Sequence, residues 1–136
     1  MKRIAIFGST GSIGSSLLKI IKDDQKNFII ELLTANTNYR KLIKQVKLFN
    51  VKNIVVTDYN SFLITTELLK DTKVKVFKNF NSLNKIFDIN KKIDYSMCAI
   101  SGFQGLKPTV DIIKFTKNIA IANKESIICG WNLIKK

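Results

Sequence analysis

No histidine occurs in the 136 residues. A His-based catalytic triad and an imidazole-ligated metal are therefore excluded, and with them most hydrolase chemistries. Cysteine is scarce as well. Cys98 and Cys129 stand far apart and in no paired-ligand spacing, so neither a disulfide framework nor a zinc site is indicated. One proline and six glycines are few, and the glycines gather in loops that follow strand-like runs, leaving no low-complexity linker. Apolar runs are short, as at 4–7 and 28–30, far below the ~20 residues that span a bilayer. The start, Met1-Lys2-Arg3, leads into Ile-Ala-Ile-Phe and stops at glycine, too short for a signal-peptide core. These absences predict a cytoplasmic chain with no membrane partner.

What is present suits one domain over residues 1–136, with 46% apolar and 24% charged residues. A chain of this size buries roughly two thirds of its unfolded surface, enough to fold without staples. The formal net charge is +13, from 23 Lys and Arg against 10 Asp and Glu. Only Arg3 and Arg40 are arginine, and the lysines are scattered among Ile, Asn and Phe, the residues of A/T-rich codons. That pattern reads as a solvated lysine surface reflecting genome composition. Attraction to a polyanion is the sharper alternative, but no aromatics interleave with the lysines to stack bases, so no specific nucleic-acid partner is expected.

The order of elements carries more. Residues 2–7 form an apolar run ended by Gly8, and Ile13, Leu17, Ile20 and Ile21 then recur at helical spacing: strand, tight loop, helix. A second strand over 28–35 precedes a helical stripe of Tyr39, Leu42, Ile43, Val46 and Phe49, capped by Asn38. Weaker signals follow for a strand at 53–57, a helix at 61–69, a strand at 74–77 and a short helix near Leu83, Ile86 and Phe87. A strand over 95–100 leads to a helix with Pro108 in its first turn and a face of Val110 and Ile113. A last strand at 119–122 precedes a stripe of Ile127, Trp131 and Ile134. Strands alternating with helices at this pitch predict an α/β fold, Rossmann-like and doubly wound, its mostly parallel sheet carrying helices on both faces.

Gly8-Ser9-Thr10-Gly11-Ser12-Ile13-Gly14 lies on the first strand-to-helix junction. Gly8 permits the sharp exit from the strand, Gly11 lets backbone approach a pyrophosphate, and Gly14 lets the helix pack close to the sheet. The free N–H groups of the first helical turn then face phosphate oxygens, with the Thr10 and Ser12 hydroxyls beside them. The spacing is not that of a Walker loop, so a dinucleotide is favoured over a nucleoside triphosphate. NAD enzymes place a carboxylate about 20 residues beyond the glycines to hold the ribose 2′-hydroxyl. Here that place reads Thr34-Ala35-Asn36-Thr37-Asn38. With no carboxylate to repel a 2′-phosphate, and with Asn36, Thr37, Asn38 and Arg40 as donors, NADP is favoured over NAD.

A second signal, Ala122-Asn123-Lys124-Glu125-Ser126, lies between the last strand and last helix, at the sheet edge where ligands bind. Lys124 could neutralise an anionic substrate while Asn123 and Glu125 bond cofactor groups. Helix capping by Asn123, with Glu125 favourable to the helix dipole, explains the same residues, and the sequence leaves both readings open.

Taken together, the glycine loop, the segment Ala99-Ile-Ser-Gly-Phe-Gln-Gly-Leu-Lys-Pro-Thr109, and Ala122-Asn-Lys-Glu-Ser126 with Gly130 resemble the N-terminal, NADPH-binding domain of the 1-deoxy-D-xylulose 5-phosphate reductoisomerase family. The resemblance runs in order from Met1 to about Leu133. It implies an NADPH-dependent, metal-dependent enzyme of non-mevalonate isoprenoid biosynthesis that isomerises and reduces 1-deoxy-D-xylulose 5-phosphate to 2-C-methyl-D-erythritol 4-phosphate. By position, Thr10, Gly11, Ser12 and Ile13 resemble the pyrophosphate and ribose contacts, and Asn36, Thr37 and Asn38 the 2′-phosphate corner. Ala99 and Ile100 are similar to residues beside the nicotinamide. Asn123 and Glu125 resemble further NADPH contacts, and Lys124 the lysine that binds the sugar phosphate substrate. Some members carry lysine where Thr37 stands, which softens the expected preference for NADP.

The family's Mg²⁺- or Mn²⁺-binding carboxylates and catalytic histidine follow the Asn-Lys-Glu-Ser helix, so no metal ligand and no catalytic residue is expected within these residues. The chain reads as a cofactor-binding fragment, inactive alone, of an enzyme that is a homodimer at full length. Two other classes remain as alternatives: a stand-alone NADP-binding or redox-sensing module, and a basic nucleic-acid-binding domain whose affinity falls steeply with salt.

Overall fold

The computed structural model describes residues 1–135. Strands and helices alternate as β1 (Lys2–Phe7), α1 (Ser12–Lys22), β2 (Phe28–Ala35), α2 (Tyr39–Phe49), β3 (Asn53–Val56), α3 (Tyr59–Leu68), β4 (Lys75–Phe77), α4 (Leu83–Ile86), β5 (Ile93–Cys98), α5 (Leu106–Ile112), β6 (Thr116–Ile121) and α6 (Lys124–Ile134). The sheet order is β4-β3-β2-β1-β5-β6 with every pair parallel. The chain builds outward from β1 in one direction, crosses back, and resumes beyond β1 with β5. The order therefore reverses between β1 and β5, where a doubly wound sheet opens a crevice at the carboxyl ends of its strands.

Each strand feeds two cores because successive side chains point to opposite faces. Ile4 and Ile6 join Leu33, Ile54 and Val56 beneath α1 and α2, which contribute Leu18, Ile21, Leu42 and Val46. Ala5 and Phe7 join Leu32 and Val55 on the other face, against Leu83 of α4 and Ile112 of α5. The fully buried Phe7, Ile6, Leu32, Leu33 and Leu42 each contribute ~1.5–3 kcal/mol through burial. The α/β, doubly wound, Rossmann-like expectation with helices on both faces is borne out. Among the described residues no helix is long and apolar enough to cross a membrane.

Three helices present a different face from the one their apolar spacing suggests. In α1 the buried positions are Gly14, Leu18 and Ile21, while Ile13 and Ile20 face outward, Ile20 being 68% exposed. Gly14 sets this rotation. A Cβ there would run into the Gly8 carbonyl and come within 2.6 Å of the Ser9 Cα, so the helix touches down on its glycine and positions 18 and 21 follow on the same face. In α6, Ser126 and Gly130 are the buried pair, Gly130 lying against Leu106 of α5, and Ile127 and Trp131 face outward, Trp131 at 52% exposure. In α5 the buried residues are Pro108, Thr109 and Ile112 rather than Val110 and Ile113. The α2 stripe packs as read, with Leu42 and Val46 inside. β6 starts at Thr116, three residues before the expected Ile119, because an edge strand tolerates the exposed Lys117 and Asn118.

Candidate functional site

A cleft of about 490 Å³ lies at the switch point. Its floor is the glycine loop after β1, represented by Gly8, Thr10 and Gly11. Thr34, Ala35 and Asn36 come from the end of β2, and Thr57 from the end of β3. Ala99, Ile100 and Ser101 come from the loop after β5, with Gln104 beyond it and Phe80 supplying an aromatic wall backed by Phe7 at 5.8 Å between ring centres. None of these lining side chains is ionisable.

Gly8 has φ of +80°, a conformation that glycine adopts without strain, and a Cβ there would lie 2.8 Å from the Ala99 carbonyl oxygen. The chain thus leaves β1 by passing directly over the end of β5. Gly11 differs. Its backbone is extended at φ −74° and ψ 177°, and an added Cβ would meet only the Gly8 carbonyl at an ordinary 3.6 Å. Packing within the protein does not demand glycine at position 11. The space above it belongs to the cleft.

Gly11 is also the N-cap of α1, and no side chain caps that helix and no acid stands in its first turn. The first N–H groups of a helix have no partner within it, so here they remain donors beside the cleft. A buried network fixes the loop that carries them. The Gly8 N–H donates to Thr34 Oγ1 at 2.8 Å and the Ser9 N–H to the Thr34 carbonyl at 3.0 Å. Gln45 of α2 holds Ser9 from the other side, its Nε2 donating to the Ser9 carbonyl and its Oε1 accepting from the Ser9 hydroxyl, each at 2.9 Å.

The sequence-predicted residues separate into groups. Thr10, Gly11 and Asn36 line the cleft, as do Ala99 and Ile100. Ser12 and Ile13 begin α1 with exposed side chains, so what they bring to the cleft is backbone. Thr37 and Asn38 form the exposed turn into α2, where Asn38 Oδ1 accepts from the Lys41 N–H at 3.3 Å and so caps the helix. Asn36 Oδ1 accepts from the Thr57 hydroxyl at 3.0 Å, which ties the ends of β2 and β3 together.

Asn123 is buried, and its side chain is committed to the fold. Nδ2 donates to the carbonyls of Ile100 and Gly102, and Oδ1 accepts from the Ser126 N–H at 3.0 Å. It therefore acts as the α6 cap and as the clamp that shapes the loop after β5. Lys124 and Glu125 open α6 outside the cleft lining. Glu125 suits that helix end, whereas a cation at the first helical position opposes the dipole, so helix stability does not account for Lys124.

Gln45, Thr57 and Phe80 escaped the sequence reading, and Thr34, Ser101 and Gln104 stood in the quoted segments without a role of their own. For Gln45 and Thr34 a signal existed, since each is a polar residue set within an apolar pattern. Cys98, at the end of β5, is buried, and burial pushes its thiol up to about 11. A redox sensor needs an accessible thiolate, so that alternative loses its chemistry at Cys98. Among the described residues no three His, Cys, Asp or Glu side chains gather to hold a metal ion.

The sequence profile of the 1-deoxy-D-xylulose 5-phosphate reductoisomerase family matches residues 4–130. The chain is 87% identical over 136 residues to the protein of that name from Pelagibacter ubique (strain HTCC1062), covering all of this chain and 35% of the relative. Among solved structures it is similar to 1-deoxy-D-xylulose 5-phosphate reductoisomerase from Zymomonas mobilis in complex with NADPH, with a TM-score of 0.86 at 32% identity over 98% of this chain and 35% of that one. It is also similar to a reductoisomerase in complex with NADPH, fosmidomycin and magnesium, with a TM-score of 0.87 at 26% identity over 99% of this chain and 34% of that one. The chain thus spans about a third of the length of the relatives it matches.

Proposed function

The chain belongs to the 1-deoxy-D-xylulose 5-phosphate reductoisomerase family, and from that premise we propose that residues 1–136 form the NADPH-binding domain of an enzyme converting 1-deoxy-D-xylulose 5-phosphate to 2-C-methyl-D-erythritol 4-phosphate. One observation carries the reading: an uncharged cleft at the β1/β5 switch point whose floor is Gly11, a glycine that the fold itself does not require. The residues fit the cofactor. Uncapped N–H groups of Ser12, Ile13 and Gly14 in the first turn of α1 would hold the pyrophosphate, with the Thr10 hydroxyl beside them. Phe80 and Ile100 give flat or apolar walls for rings, and the turn of Asn36, Thr37 and Asn38 would hold the 2′-phosphate end.

NADPH, when bound, supplies the hydride. The chain's own work is to hold and orient it: Asn123 fixes the loop of Ala99 and Ile100, and Gln45 and Thr34 fix the glycine loop. Lys124 and Glu125 lie at the carboxyl edge of the sheet, where Lys124 would meet an anionic sugar phosphate and Glu125 a cofactor hydroxyl. Among the described residues no cluster of carboxylate or thiol side chains is placed to hold Mg²⁺ or Mn²⁺. In keeping with this reading, the full-length enzyme is taken as a cytoplasmic homodimer.

Calorimetric titration of the chain with NADPH is the direct test. Saturable one-to-one binding, competed by NADP, is the expected result. Absence of any binding overturns the reading.

A further inference from the structure

A 2′-phosphate at the carboxyl end of β2 calls for a cation. No carboxylate or basic side chain lines the cleft, and β2 ends in Thr34, Ala35 and Asn36. Arg40 is the obvious basic residue near this corner from sequence alone, yet its guanidinium lies over the ring of Tyr39 at 5.1 Å, an engagement within its own helix. Lys41, the next residue, reaches the other way. Its Nζ donates to the carbonyl of Thr10 at 3.0 Å, so the side chain crosses from the first turn of α2 to the glycine loop.

We infer that Lys41 is the residue that selects NADPH over NADH, by placing its ammonium against the 2′-phosphate; the inference rests on the cofactor reading above. Three observations support it. The Lys41 side chain joins the first turn of α2, just beyond Asn36, to Thr10 of the glycine loop, and Thr10 and Asn36 both line the cleft. Its partner is a neutral carbonyl, and none of the four ion pairs among the described residues involves Lys41, so its full charge is available to an anion. Lys41 is also held in place, since its backbone N–H is bound by the Asn38 cap at 3.3 Å.

The acid at this corner does not oppose the arrangement. Asp58 follows β3, and its N–H donates to the Asn36 carbonyl at 3.3 Å. Its carboxylate is turned to the start of α3, where Oδ2 accepts from the Ser61 N–H at 2.9 Å and the Ser61 hydroxyl at 2.7 Å. Those two bonds hold its carboxyl below the usual carboxylate range. With Oδ2 engaged at the start of α3 and Asp58 outside the cleft lining, this acid is not placed to serve a ribose hydroxyl there, which is the service NAD would need.

The test compares wild type, Lys41→Met and Lys41→Arg by titration with NADPH, NADH and 2′,5′-ADP. Loss of the charge in Lys41→Met should weaken NADPH and 2′,5′-ADP by about tenfold, the scale of one charge-assisted hydrogen bond, while NADH changes by less than about twofold. Lys41→Arg should keep the preference for NADPH. The wild-type advantage of NADPH over NADH should shrink as salt rises. Equal weakening of NADPH and NADH in Lys41→Met would show that the lysine only props the loop, and no change in either would show that it does nothing; both results overturn the inference while leaving the cofactor reading intact. A wild type that binds none of the three probes overturns that reading, and the inference with it.

Discussion

Gln45 and Ser9 bind each other twice, amide Nε2 to carbonyl and hydroxyl to amide Oε1, both at 2.9 Å and both out of contact with solvent. A helix one full βα unit further along the chain thereby holds the turn that leaves β1. Such a pair sits in low dielectric, where a made bond is strong and an unmade one costly.

The first prediction follows from that pair. Gln45→Leu keeps the volume and removes both bonds. The Ser9 carbonyl retains the Ser15 hydroxyl at 3.2 Å, so the loss should be about 2 kcal/mol rather than the full penalty of two orphaned groups. Urea denaturation should show a lower midpoint at unchanged slope. Combined with Ser9→Ala, the double mutant should be less destabilised than the sum of the singles, because both changes remove the same hydroxyl-to-Oε1 bond, while the Nε2 bond to the Ser9 carbonyl is lost only with Gln45. Strict additivity would mean that the two side chains do not act together.

Much of this architecture is legible in the sequence, and what is not has a physical cause. β1, the glycine loop and β2 are local patterns, and both strands run as the sequence predicts. Asn38 reads as a cap and is one. The faces of α1 and α6 do not follow from apolar spacing, because a close approach at Gly14 and at Gly130 decides the rotation, and a contact to backbone or to Leu106 is a tertiary fact. Asn123 shows the same limit within the site. Its sequence position fits a cap and a ligand equally well, and only the arrangement of the loop after β5 reveals that its amide serves the carbonyls of Ile100 and Gly102.

The second prediction concerns Cys98. Burial raises its thiol from an ordinary 9.0 to about 11, so between those values the unfolded chain has lost a proton that the folded chain keeps. The unfolded state binds fewer protons there, and stability must fall as pH rises. The contribution is fully present below pH 9 and is gone above pH 11, with a slope of at most ~1.4 kcal/mol per pH unit. Cys98→Ala should flatten the stability profile in that window relative to wild type. In the folded protein at pH 8, iodoacetamide should label the exposed Cys129 and spare Cys98. Equal labelling of the two would place Cys98 at the surface.

The last prediction sets two glycines of one loop against each other. Gly14 is required by packing: a methyl there meets the Gly8 carbonyl and the Ser9 Cα at 2.6 Å, both backbone groups that cannot swing aside. Gly14→Ala must push α1 off the sheet and should cost about 1–3 kcal/mol, the range for overfilling a packed site, with NADPH binding lost as a consequence. Gly11 has extended backbone and open space, a conformation that valine favours. Gly11→Val should therefore melt within about 1 kcal/mol of wild type, the scale of replacing a glycine N-cap by an aliphatic residue. Its side chain nevertheless projects where the pyrophosphate would lie, and affinity for NADPH should drop more than about tenfold, since the first-turn donors can no longer reach their oxygens. The pair thus separates fold from function: one variant loses stability and binding together, the other loses binding alone. Wild-type affinity in Gly11→Val would mean that the cofactor does not cross the loop at this point.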